Sequence, residues 1–143
     1  MKIGIASDHA AFEMKTEIRE YLQEKGYDMV DYGSKTADRV NYPDYGKKLG
    51  EAVAAGDVEC GIAICGTGVG ISIAANKVHG IRAAVCSEPV TARLVKEHNN
   101  ANIIAFGARI VGMETAMAIV DAWLEAKAQG GRHAERRAML DDM

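Results

Sequence analysis

The feature that most constrains this chain is the alternation of short apolar runs with stretches of helical spacing. KIGIAS at 2–7, and the segments 27–32, 59–64, 81–85 and 102–106, each have the length and composition of a buried strand. Between them lie helical segments. In 11–25, Met14, Ile18, Tyr21 and Leu22 recur at the spacing of one helix face. A second helix is predicted from Pro43 to Ala55, and a short one from the end of the glycine loop to Lys77. Pro89 opens a fourth at a position that suits proline, running to His98, and 113–128 forms a fifth. Gly26 and Gly56 stop their helices, and Gly130-Gly131 separates a basic tail, 132–143, read as a last short helix. Such a β-α succession calls for a parallel sheet covered on both faces. Right-handed crossovers then make a doubly wound, five-stranded α/β sandwich the economical topology. With 143 residues and 48% apolar content, the chain forms one domain, 1–143, with a sizeable core.

A net charge of −3 offers no general attraction for nucleic acid or an anionic membrane. No apolar stretch reaches the roughly 20 residues of a membrane span, and the run in MKIGIASDHA is too short for a signal peptide. Cys60, Cys65 and Cys86 are odd in number and lack zinc-ligand spacing, so they read as reduced thiols of a cytoplasmic protein.

In doubly wound sheets, ligands bind beyond the carboxyl ends of the strands. Those positions carry Ser7-Asp8-His9, Gly33, Cys65-Gly66-Thr67, Cys86-Ser87-Glu88 and Gly107-Ala108-Arg109. CGTGVG at 65–70 is the barest of these loops. It fails the dinucleotide fingerprint, because Ile71 and Ile73 stand where the last glycine belongs, and no Gly-Lys-Ser/Thr closes it as a phosphate loop. A strand, a tight turn and a helix amino terminus remain. Unpaired N–H groups of residues such as Gly66, Gly68, Val69 and Gly70 would favour a phosphate or an oxyanion there. The plain alternative is a turn whose glycines only permit close packing. Cys65 tips the balance, since the same amides and helix dipole favour its thiolate. Cys60, read as preceding its strand, and Cys86, which lacks a glycine cradle, fit the role of small buried hydrophobes. Glu88 keeps a nucleotide-binding module open as a second function class, with the glutamate on a ribose and Cys65 inert.

Asp8 can cap the following helix, and His98 can complement the dipole at the end of its own. Asp8, His9 and His98 form no metal motif, so no metal is expected. Arg132 and Arg136 share one face of a tail helix and could converge on a phosphate, whereas His133 and Arg137 share another. The competing reading of the tail is a solvated basic surface. Arg109 directly follows a strand end.

Asp8-His9, NYPDYG at 41–46, CGTGVGISIAANK at 65–77, GIRAAVCSEP at 80–89, EHNNANIIAFGARIVG at 97–112 and GGRHAERR at 130–137 together resemble type B ribose-5-phosphate isomerase. That family also includes isomerases of allose and galactose 6-phosphates, and the likeness spans almost the entire chain. It implies a Rossmann-like three-layer sandwich and a homodimer, sometimes paired into tetramers. The active site would lie between subunits, with 131–143 packing on the partner. By the same likeness Cys65 matches the base that moves a proton between C1 and C2, and Thr67 its supporting hydroxyl. The amides of residues 66–70 match the enediolate cradle. Asp8 and His98 match groups that open the furanose ring, and Tyr42 and Asn99 line the sugar. His9, Arg109, Arg132 and Arg136 match the phosphate-binding set. One branch of the family carries a glutamate at the position of Ile71. Ile71 with Cys65 puts this chain in the cysteine branch, which needs no cofactor.

Overall fold

The computed structural model describes all residues, 1–143. Strand β1 (Lys2–Ser7) passes through a 3-10 turn, His9–Ala11, into α1 (Phe12–Glu24). There follow β2 (Asp28–Asp31), α2 (Tyr42–Ala54), β3 (Cys60–Cys65), α3 (Val69–Asn76), β4 (Ala83–Val85), α4 (Pro89–Asn99), β5 (Ile103–Gly107), α5 (Met113–Glu125) and α6 (Arg132–Asp141). The five strands form one parallel sheet in the order β2-β1-β3-β5-β4. The expected doubly wound sandwich is therefore present, with its strand order reversing between β1 and β3.

Strand alternation explains why the two helical layers differ. On one face Ile3, Ile5, Ile62, Ile64, Ile104 and Phe106 meet α1, α4 and α5, including the fully buried Trp123. Successive residues point to opposite sides, so the other face carries Gly4, Ala6, Gly61, Ala63, Cys65 and Ala105. That bare face lets α2 and α3 approach closely. A Cβ on Gly61 would stand 3.0 Å from the Leu49 side chain, and one on Gly46 of α2 would stand 2.6 Å from the Ile71 carbonyl of α3. Both faces are buried, so the central strands are apolar throughout.

Element boundaries depart from the sequence reading in specific ways. Cys60 begins β3 instead of preceding it, and Cys65 is its last residue instead of the first of the loop. The predicted start of α1 at Ala11 is a separate 3-10 turn capped by the Asp8 side chain, which accepts from the Ala10 N–H at 3.0 Å. Strand β4 is shorter than 81–85, because Arg82 is held by Asn102 before the ladder to β5 begins. Helix α5 ends at Glu125 because Ala126 turns extended and the Gln129 N–H reaches the Glu97 carbonyl at 2.8 Å.

Candidate active site

At the point of strand reversal, the ends of β1 and β3 lie side by side, with Ser7 opposite Ile64. An open cleft of ≈ 410 Å³ there is lined by Asp8, Tyr42, Cys65, Thr67, Gly70 and Arg109, with Val69 and Ile73 as an exposed apolar lip. The turn from β3 into α3 is made possible by Gly68, whose φ of 83° lies in the left-handed region. A Cβ on Gly68 would lie 2.7 Å from the Phe106 backbone, and one on Gly107 would lie 2.6 Å from that of Thr67. The loop is thus pressed against the end of β5, while the Arg109 N–H donates to the Gly66 carbonyl at 3.0 Å.

The thiol of Cys65 is buried, and its Sγ accepts from the Gly68 N–H at 3.1 Å. That contact strengthens when the sulfur carries negative charge. The Thr67 hydroxyl is exposed to the cleft and accepts from the Val69 N–H at 3.2 Å. Cys60 and Cys86 behave differently: burial pushes each of their thiols up to about 11. They remain protonated at neutral pH, as small hydrophobes should.

His9 stands beside Asp8 in the 3-10 turn, and its Nδ1 accepts from the Val40 N–H at 3.1 Å. An acceptor Nδ1 carries no proton, so the proton of the neutral ring sits on Nε2 and is free to be donated. The loop that supplies Val40 is itself anchored. Lys15, 1% exposed, binds both oxygens of Asp31 at 2.9 Å and the Ser34 carbonyl at 2.5 Å. Neither Val40 nor Lys15 was visible as a site element in the sequence. A lysine at a helical position facing the core was the one available signal. Tyr42 opens α2 and lays its ring over Gly70.

The remaining expected residues lie elsewhere. His98 and Asn99 end α4 at the opposite edge of the sheet, where Arg82 Nε donates to the Asn99 carbonyl and the Gly61 N–H to that of Asn102. Cys65 lies four steps along β3 from Gly61, which corresponds to about 13 Å at the usual rise. Within one chain, then, His98 does not reach the thiol. Arg132 and Arg136 lie with His98, on the exposed side of α6. A second hollow of ≈ 450 Å³ opens at this edge between Arg82, Asn99, Leu140 and Asp141. Glu88 does not face a ligand: its carboxylate caps α4, accepting from the Thr91 N–H and hydroxyl. It also follows β4, an outer strand separated from β3 by β5, which removes the main support for a nucleotide module.

Comparison with known proteins identifies the family. The Ribose/Galactose Isomerase family model matches residues 3–140. The chain is 53% identical over 135 residues to ribose-5-phosphate isomerase B of Escherichia coli, covering 94% of this chain and 91% of that protein. It is 48% identical over 127 residues to the galactose-6-phosphate isomerase subunit LacB of Clostridium acetobutylicum, covering 89% and 73% respectively. The solved ribose-5-phosphate isomerase B of Clostridium thermocellum superposes with a TM-score of 0.98 at 54% identity, covering 99% of this chain and 96% of the other. Matched in sequence and backbone over nearly its whole length, this sugar-isomerase chain belongs to the ribose/galactose isomerase family.

Proposed function

We propose that the chain interconverts D-ribose 5-phosphate and D-ribulose 5-phosphate through an enediolate, with Cys65 as the base. One observation carries the reading: a thiol sits at the mouth of a glycine-rich loop, its sulfur already bonded by the Gly68 amide. The thiolate takes the C2 proton of the open aldose, and the C–H electrons pass into the C1 carbonyl. Of the main-chain N–H groups of residues 66–70, those of Gly66, Thr67 and Gly70 are left to receive the charge that develops on oxygen, since the Gly68 N–H is on the Cys65 sulfur and the Val69 N–H on the Thr67 hydroxyl. Thr67 serves the proton exchange between the two oxygens, and Cys65 returns its proton to C1. No electrons are gained or lost overall, so the reaction calls for no redox cofactor. His9, through its Nε2–H, and Arg109 suit the phosphate.

The imidazole of the ring-opening pair, His98, and the outer phosphate groups come from a second copy. His98, Asn99, Arg132 and Arg136 crowd one edge of the sheet while Asp8, Tyr42 and Cys65 crowd the other. Two copies related by a two-fold axis would join these halves into two complete sites. Val69 and Ile73 at the thiol edge, and Met139 and Leu140 on α6, are exposed apolar residues suited to the joint. The reduced thiols fit a cytoplasmic setting.

Likeness to a galactose-6-phosphate isomerase subunit favours a six-carbon sugar phosphate as the second reading. A coupled assay across ribose, allose and galactose phosphates separates the two. In the same assay Cys65→Ala, folded as judged by circular dichroism, should lose about 10²–10⁴-fold in turnover. Near-normal turnover would remove the thiol from the chemistry.

A further inference from the structure

We propose that His133 is a positioning residue: stacked on His98, it holds the imidazole assigned above to ring opening and sets the rotation at which α6 presents Arg132 and Arg136. The inference rests on the proposed isomerase and extends it. The two rings lie 4.3 Å apart and 3° from parallel. His98 makes no hydrogen bond through either ring nitrogen within the chain; only its carbonyl is engaged, by Arg137 Nη1 at 3.0 Å. A hydrogen-bonding partner would hold the ring by occupying a nitrogen. A stacked partner holds it by its face and leaves both nitrogens free for a substrate oxygen.

Helix α6 has no buried residue to seat it. Its attachments are the histidine stack, Arg137 bonded to the carbonyls of His98 and Gln129, and the Arg82–Asp141 ion pair at 2.6 Å. His133 and Arg137 are one turn apart and form the docking face. Arg132 and Arg136, also one turn apart, lie beside it and remain exposed. Each residue turns a helix by about 100°, so whichever pair docks dictates where the other points. Partial burial, His98 and the cations Arg132, Arg136 and Arg137 all hold His133 below its ordinary value. A neutral ring is the form that stacks without repulsion.

The test measures steady-state kinetics and the isotope effect with C2-deuterated ribose 5-phosphate on wild type, His133→Ala, His133→Phe and His98→Asn, with melting temperature as a control. His133→Ala should lose about 10- to 100-fold in kcat/KM, the scale of a small misplacement. KM should rise, and the isotope effect should shrink as ring opening becomes slow. His133→Phe, which keeps a flat ring, should recover most of the loss at an unchanged melting temperature. Wild-type kinetics and isotope effect in His133→Ala would overturn the proposal, as would equal impairment in the Ala and Phe variants. If His98→Asn is impaired and His133→Ala is not, only the positioning role fails. If His98→Asn matches wild type, the assignment of His98 fails and takes the positioning role with it.

Discussion

Gly68 and Gly70 lie two residues apart in one loop, yet their alanine variants should fail in different ways. At Gly68 the φ of 83° costs an L residue about 1–2 kcal/mol. A Cβ would also stand 2.7 Å from the Phe106 carbonyl carbon and 2.9 Å from its oxygen, which are backbone atoms in the middle of the sheet. Overpacking of this kind adds about 1–3 kcal/mol. The total, roughly 2–5 kcal/mol, should lower the melting temperature by roughly 6–20 °C in a domain of this size. At Gly70 the backbone is helical, and alanine gains about 0.5–1 kcal/mol. Its Cβ would meet the Tyr42 ring at 2.5 Å, but that ring is 42% exposed and can swing away. Stability should therefore hardly change, while displacement of Tyr42 and crowding of the cradle should cost about 10²-fold in kcat/KM. Thermal melts and kinetics on the same preparations decide the matter. If Gly68→Ala melts like wild type, or if Gly70→Ala loses as much stability as Gly68→Ala, the contacts with Phe106 and Tyr42 do not govern the loop.

Iodoacetamide at neutral pH should label Cys65 well before Cys60 or Cys86, whose thiols burial pushes up to about 11; peptide mass spectrometry reads the order, and equal labelling refutes it. His133 is held below its ordinary 6.5, so docking of α6 is fully favoured above that pH and is lost as pH falls below it through the depressed value. Amide exchange in α6 should accordingly be faster at pH 5.5 than at pH 7.5 relative to the intrinsic rate, and an unchanged protection factor would contradict this. Mixing inactive Cys65→Ala with inactive Arg132→Ala/Arg136→Ala under conditions of subunit exchange should restore about a quarter of wild-type activity, because half the dimers then hold one intact site. Failure of exchanged subunits to regain activity would put both half-sites in one chain.

The strand and helix order was legible because each run of Ile, Val and Ala is bounded by glycine or a helical period, and both signals are local. The thiol loop was legible for the same reason: Cys65, Thr67 and the glycines are contiguous. The contacts that give those glycines different duties were not. Gly68 meets Phe106 because β5 inserts next to β3, a pairing that no short stretch encodes. The clamp of Lys15 on Asp31 and Ser34, and the support of His9 by Val40, likewise join segments that only the folded sheet brings together. Boundary errors had a common source. Apolar periodicity does not reveal where a side chain such as Asn102 or Asp8 takes over a backbone group. The division of His98 and Cys65 between two edges follows from the alternation itself, since a helix that leaves one edge of a parallel sheet must end at the other.

In the proposed reaction the donors to the reacting oxygens are main-chain amides, and every residue except proline carries one. What the code must preserve at 66, 68, 70 and 107 is therefore an emptiness. Short of proline, a change of residue cannot subtract a donor from the loop, but it can fill the space around it. Mutational damage to such a site is additive in the literal sense, an atom too many. Proline at Val69 is the informative exception: it occupies the first position of α3, where its ring is tolerated, and it removes the one N–H that Thr67 accepts.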